Sequence, residues 1–177
     1  MFNGVPLLWT TQVAIHVRIA ITTAPLTAES MSKCFEEPVE ILLVEDNPGD
    51  VRLVEVALRD LSIDTELDVA TDGTQALETL SRRLRDDSIP DLVLLDLNLP
   101  RMGGFEFLEE VQDQSALARI PILVLTSSNA CEDVVESYER AANAYLTKPT
   151  DPDEYIEMVE TVADFWFEQV ALPPTHA

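Results

Sequence analysis

Leu92-Val93-Leu94-Leu95-Asp96 is a run of four apolar residues closed by a carboxylate. Upstream, Ile41-Leu42-Leu43-Val44 ends the same way, in the acidic pair Glu45-Asp46. Short apolar runs without polar alternation mark strands buried on both faces, the pattern of a parallel α/β sheet. Such sheets bind ligands in the crevice at the carboxyl ends of their strands, where strand order reverses. Both runs deliver carboxylates to that edge. Converging carboxylates repel one another, and a divalent cation is the natural neutraliser. The plainer alternative, in which each Asp caps a helix or ends a solvated strand, suits one run better than two that end alike.

The rest of the chain alternates in the same sense. Asn47-Pro48 is a cap and first-turn pair opening a helix to about Leu61, with Leu53, Val54, Val56, Ala57 and Leu58 as its apolar side. A weaker strand at Glu66–Ala70 precedes a helix from Gly73 to about Leu84 that carries Ala76, Leu77, Leu80 and Leu84. Leu92–Leu95 is the third strand, Leu99–Gly104 a turn-rich loop and Phe105–Gln112 a short helix. Ile122–Leu125 is the fourth strand, followed by a helix at Glu132–Arg140 and a fifth strand at Ala144–Thr147. Asp151-Pro152 opens a last helix to about Val170. Five strands alternating with five helices predict a doubly wound, five-stranded parallel sheet of order 2-1-3-4-5. No internal repeat or low-complexity tract is present.

Of the 177 residues, 46% are hydrophobic, which argues against disorder and fits one domain. There are 33 acidic residues against 11 basic ones, for a formal net charge of -22, and the only lysines are Lys33 and Lys148. A field of that sign repels nucleic acid, and no basic cluster offsets it beyond Arg82, Arg83 and Arg85, read here as a solvated helix face. The acids are spread over nearly every polar segment, so the pattern suits a cytoplasmic protein of a halophile, whose self-repulsion concentrated salt would screen. Cys34 and Cys131 form no CxxC and have no histidine pair nearby, which argues against a zinc site or disulfide scaffold and leaves ordinary thiols.

Residues 1–36 differ from the rest of the chain, holding Arg18 and no acid before Glu29. No positive charge precedes an apolar stretch, as a signal peptide requires, and no clean run of about 20 apolar residues suggests a membrane span. The composition shift marks either a flexible extension or untranslated sequence ahead of a start at Met31. Residues 37–172 form the domain and 173–177 a tail. His16 and His176 lie in these terminal segments without ligand partners.

Four of the five strands end in polar groups: Glu45-Asp46, Asp96, Thr126 and Lys148. In a parallel sheet these ends share one edge. They assemble carboxylates for a hard cation, a hydroxyl and an ammonium, the set that a phosphoryl group needs. With Asp96 as nucleophile the product is an aspartyl phosphate. Taken alone, Lys148 reads as a surface lysine and Tyr145 as core; position promotes them.

The segments ILLVEDNPGD (41–50), LVLLDLNLPRMGG (92–104), ILVLTSS (122–128) and YLTKP (145–149) resemble the CheY-like receiver domain of response regulators, over about Val39 to Val170. The resemblance implies Asp96 as phosphoacceptor and a Mg²⁺ site of Asp46, Asp96 and the Asn98 carbonyl, aided by Glu45. It implies Thr126 and Lys148 as contacts of the phosphoryl oxygens, and Tyr145 as the aromatic that turns inward on activation. It also implies a cis Lys148-Pro149 bond. The leading pair, Glu-Asp rather than Asp-Asp, departs mildly from the family and bears on metal affinity. NPGD, Asp164-Phe165-Trp166 and Leu172-Pro173 are similar to stand-alone regulators of phytochrome-like sensor kinases, several of which dimerise.

The function implied is phosphorylation-switched protein binding, with a sensor histidine kinase as donor. The chain stops after the fifth helix, so its output is expected to be another protein, a further relay step or buffering of phosphate flow, without nucleic acid or membrane. Two other classes compete. A Mg²⁺-dependent phosphatase of the haloacid-dehalogenase type needs an acid two residues after the nucleophile, where this chain has Asn98. A pseudo-receiver binds partners without phosphorylation, against which the intact site argues. The rings Phe165-Trp166-Phe167 cannot all face one side of an α-helix. One is therefore expected to meet solvent or a partner, in a homodimer or kinase complex through the face of the fourth and fifth helices.

Overall fold

The computed structural model describes residues 38–170. The expectations placed on residues 1–37 and 171–177, including the start at Met31, Cys34, Leu172-Pro173, the two histidines and the tail, lie outside them. β1 (Val39–Val44), β2 (Thr65–Ala70), β3 (Leu92–Leu95), β4 (Ile122–Thr126) and β5 (Ala144–Thr147) form one parallel sheet in the order β2-β1-β3-β4-β5. Five helices alternate with them: α1 (Pro48–Arg59), α2 (Gly73–Arg85), α3 (Gly104–Gln112), α4 (Cys131–Glu139) and α5 (Pro152–Asp164).

Local chemistry sets three of the helix starts. Asn47 caps α1, its side chain accepting from the Gly49 amide at 2.9 Å, with Pro48 in the first turn. Asp72 caps α2 by accepting from the Gln75 amide at 3.0 Å. Asp151 caps α5 by accepting from the Asp153 and Glu154 amides.

Successive strand residues point to opposite faces. Ile41 and Leu43 of β1, Leu92 and Leu94 of β3, and Leu123 and Leu125 of β4 join the core under α1 and α5. Leu42 and Val44, Val93 and Leu95, and Ile122 and Val124 join the core under α2, α3 and α4. Burial on both faces is why these strands read as unbroken apolar runs. β2 is an edge strand in which only Ala70 is fully buried, which accounts for its weaker signal.

The sequence pattern runs the last helix unbroken to about Val170. The backbone instead leaves α-helical geometry after Asp164, and Phe165–Gln169 forms a π-helical turn. Its i→i+5 bonding fits more residues into a turn, so consecutive side chains diverge less. Trp166 and Phe167 are both buried, and Phe165 packs partly buried on the same core, edge-on to Trp166 with ring centroids 6.4 Å apart. Phe165 is thus the one ring of the three that keeps part of its surface in solvent, while the other two are taken into the core.

Arg83 corrects a second reading. Rather than facing solvent, its guanidinium donates to Glu40 of β1, to the Ser88 carbonyl at 3.0 Å and to Asp68 of β2 at 2.7 Å. Arg82 and Arg85 alone keep the solvated face. Among the described residues no helix is long and apolar enough to cross a membrane.

Candidate functional site

Strand register gathers the polar residues. Val44 pairs with Leu95, and the Asp96 amide donates to the Val44 carbonyl at 3.0 Å, so Glu45 and Asp96 leave the sheet side by side. Thr126 pairs with Thr147, and the Lys148 amide donates to the Thr126 carbonyl at 2.8 Å. One sheet edge therefore carries Glu45, Asp96, Thr126 and Lys148.

The Lys148 ammonium is the hub. It donates to Glu45 Oε2 at 2.5 Å, Asp96 Oδ2 at 2.7 Å and Asp50 Oδ2 at 2.8 Å. Burial alone would push its pKa down; the hydrogen bonds that the ammonium donates to Asp50, Asp96 and Glu45 outweigh that and hold it above the ordinary lysine value. Glu45 is 2% exposed, and burial raises its carboxyl against the opposing pull of Lys148. Its other oxygen accepts from the Asn47 amide at 3.0 Å. Asp50, in the first turn of α1, is a site member that strand-end reasoning misses. An acid there is ordinary helix-start chemistry, and nothing in the sequence separates it from that role.

The loop after β3 is held in shape around Asp96. The Asn98 amide donates to Asp96 Oδ1 at 3.0 Å, and the Asn98 side chain donates to Thr126 Oγ1 at 3.3 Å. A Cβ on Gly104 would stand 2.6 Å from the Leu97 Cα and 2.7 Å from the Asp96 carbonyl oxygen, so only glycine lets α3 begin this close to the site. Arg101 adopts a left-handed backbone, φ 63°, and its guanidinium pairs with buried Asp72 at the start of α2.

A second set of bonds leads away from Thr126. The Ser128 amide donates to Thr126 Oγ1 at 3.3 Å, the Ser128 hydroxyl donates to Asp133 of α4, and the Tyr145 hydroxyl donates to the Ser128 carbonyl at 2.9 Å. Tyr145 is 5% exposed, and burial raises its pKa. The ring packs in the core while its hydroxyl reaches the loop after β4. The cis Lys148-Pro149 bond that the resemblance implies is not found: no described peptide bond is cis, so this one is trans, the isomer an X-Pro bond favours intrinsically.

Asp46 is the predicted residue that the cluster does not collect. It is solvent-exposed and makes no hydrogen bond or ion pair among the described residues. Among those residues no three Asp, Glu, His or Cys side chains already stand in a metal-holding arrangement, and Lys148 pairs with both Glu45 and Asp96. The donor set still suits a hard divalent cation. Two buried carboxylates are turned toward one positive charge, a third sits at the solvent edge, and all are oxygen donors.

The sequence pattern of the response regulator receiver domain matches residues 41–160. Response regulator Rcp1 of Synechocystis sp. is 42% identical over 145 residues, covering 81% of this chain and 99% of that protein. A probable methanogenesis regulatory protein, FilR2 of Methanothrix harundinacea, is 36% identical over 134 residues, covering 74% and 85%. Among solved structures, the phosphorylated cyanobacterial phytochrome response regulator RcpA is similar with a TM-score of 0.74 and 36% identity, covering 77% of this chain and 99% of that one. The Mn²⁺-bound form of Rcp1 is similar with a TM-score of 0.70 and 42% identity, at the same coverage.

Proposed function

This chain belongs to the response regulator receiver-domain family, and on that premise we propose that Asp96 accepts a phosphoryl group from a sensor histidine kinase with Mg²⁺ present. The observation that carries the proposal is the Lys148 ammonium held 2.7 Å from Asp96 Oδ2 at the carboxyl edge of the sheet.

An Asp96 oxygen attacks the phosphorus of the donor's phosphohistidine. The P–O bond forms as the P–N bond breaks, and the leaving imidazole keeps the electron pair. Glu45, Asp46, Asp96 and the Asn98 main-chain carbonyl would hold the divalent ion, which when bound offsets the charge of the carboxylates and the incoming phosphoryl oxygens. Lys148 pairs with one phosphoryl oxygen and the Thr126 hydroxyl donates to another. Committing Thr126 to the phosphoryl group disturbs its bonds to Asn98 and Ser128, and Ser128 passes the change to Asp133 and Tyr145.

The output we assign is altered protein binding on α4, where Val135 is 55% exposed between Glu132 and Glu139. Burial of Trp166 and Phe167 leaves Val135 as the apolar anchor for a homodimer through the α4–α5 face. Light scattering with and without beryllofluoride tests that dimer. The cytoplasmic, nucleic-acid-free setting proposed is drawn from the acidic charge. Mg²⁺-dependent transfer of label from a phosphorylated phytochrome-like histidine kinase to the wild type, absent in Asp96→Asn, is the expected result. Equal labelling of the variant overturns the assignment.

A further inference from the structure

An ammonium has three N–H donors, and those of Lys148 are all committed: to Glu45, Asp96 and Asp50. Phosphoryl transfer, as proposed above, asks Lys148 for a bond to a phosphoryl oxygen, so one acceptor must be released. An oxygen carried on Asp96 replaces the Asp96 bond within the same small space. Glu45 is a proposed partner of the metal, which also holds it near Asp96. Asp50 belongs to neither set. It sits on a different element, the first turn of α1, and is fixed there by the Asn47 side-chain amide, which donates to Asp50 Oδ1 at 3.1 Å. Its side chain is 25% exposed, so water can satisfy the carboxylate once the ammonium leaves.

Resting on that reading, we propose that Asp50 is a positioning residue that competes with the phosphoryl group for Lys148. While Asp50 holds the ammonium, only a fraction of the molecules present a free Lys148 donor, and the apparent affinity for a phosphoryl mimic falls by that fraction. The N-terminal turn of α1 thus sets the threshold at which phosphorylation is registered. Asp50 touches no reacting atom; it acts through Lys148 alone.

Lys148 can be observed directly, because Lys33 is the only other lysine. Lysines labelled with ¹³C at Cε give two resonances, assigned with Lys33→Arg. Beryllofluoride is titrated into the full chain with excess Mg²⁺, for wild type and Asp50→Asn. The Asn side chain keeps an acceptor for Asn47 while removing the charge. The expected results are a Lys148 resonance displaced from the wild-type position before any beryllofluoride is added, and a midpoint about fivefold lower, the scale of a partly screened charged hydrogen bond. Asp50→Glu, which restores the charge, returns both readings toward wild type. An unmoved Lys148 resonance in the unliganded variant, or a midpoint that stays or rises, overturns the role of Asp50 alone. A Lys148 resonance indifferent to beryllofluoride in wild type removes the phosphoryl reading and this proposal with it. If Asp50→Asn unfolds, Asp50→Ser carries the same comparison.

Discussion

Lys148 and Asp96 lie 52 positions apart in the chain and on strands separated by β4, yet ammonium and carboxylate meet at 2.7 Å. The meeting is a product of register. With Val44 opposite Leu95 and Thr126 opposite Thr147, each strand delivers its terminal polar residue to one edge. The ammonium there neutralises buried carboxylates that would otherwise repel.

Removing that cation leaves Glu45 and Asp96 buried together without a counter-charge. Breaking a fully buried pair costs about 3–5 kcal/mol, and the solvent at this edge reduces the figure to about 2 kcal/mol. Lys148→Ala is expected to lose stability of that order in chelator and to recover most of it in Mg²⁺, since an ion that binds only the folded state stabilises it. The variant should bind Mg²⁺ but show no surface response to beryllofluoride. Urea unfolding with and without Mg²⁺ measures the first part. Failure of Mg²⁺ to restore stability, or loss of Mg²⁺ binding, contradicts the metal assignment.

Gly104→Ala places a methyl 2.6 Å from the Leu97 Cα and 2.7 Å from the Asp96 carbonyl oxygen, both backbone atoms that cannot swing aside. Overpacking of this kind costs about 1–3 kcal/mol. Because the displaced backbone carries Asp96, phosphorylation should slow as well as stability fall. Thermal unfolding and an initial-rate assay with a small phosphodonor read the two effects. A variant with wild-type values in both would refute the close approach.

Tyr155, on α5, is 2% exposed, and its hydroxyl is buried without a hydrogen-bond partner among the described residues. Burial raises its pKa, with Glu45, Asp50 and Asp96 adding to the rise and Lys148 opposing it. An unsatisfied buried hydroxyl costs about 1–3 kcal/mol, so Tyr155→Phe is expected to raise stability by about 1 kcal/mol. Denaturant titration decides it; a clear loss of stability would mean that the hydroxyl has a partner that the folded chain relies on.

The formal charge of -22 predicts a strong salt effect. Screening shortens the Debye length to about 3 Å at 1 M salt and relieves self-repulsion of the folded state. The melting temperature should climb from low to molar KCl. A flat or falling profile would rule out adaptation to salt.

Only interactions that leave a local mark are legible in a sequence. Strands buried on both faces print themselves as Ile41–Val44 and Leu92–Leu95, and the polar residue that ends each run marks the shared edge. Asp96, Glu45, Thr126 and Lys148 are legible for that reason. Asp50 is not, because its bond to Lys148 spans 98 positions and its place in a helix's first turn already explains an acid. Arg83 misleads because its partners, Glu40 and Asp68, come from two strands that periodicity along α2 cannot see. The π-helical turn at Phe165–Gln169 escapes a pattern read at the α-helical period. Asp46 matches its motif by position, but the folded chain leaves it at the solvent edge.

Every role proposed for this edge depends on Asp96 as the phosphoacceptor, and the most direct measurement locates the phosphoryl group chemically. Wild-type protein is phosphorylated with a small phosphodonor and Mg²⁺, then reduced with borohydride, which converts an aspartyl phosphate to homoserine, and the product is sequenced by peptide mass spectrometry. Homoserine at position 96 alone, with none formed in Asp96→Asn or in chelator, is the predicted result. Modification at Glu45, Asp46 or Asp50 in place of Asp96, or formation without a divalent ion, would contradict it.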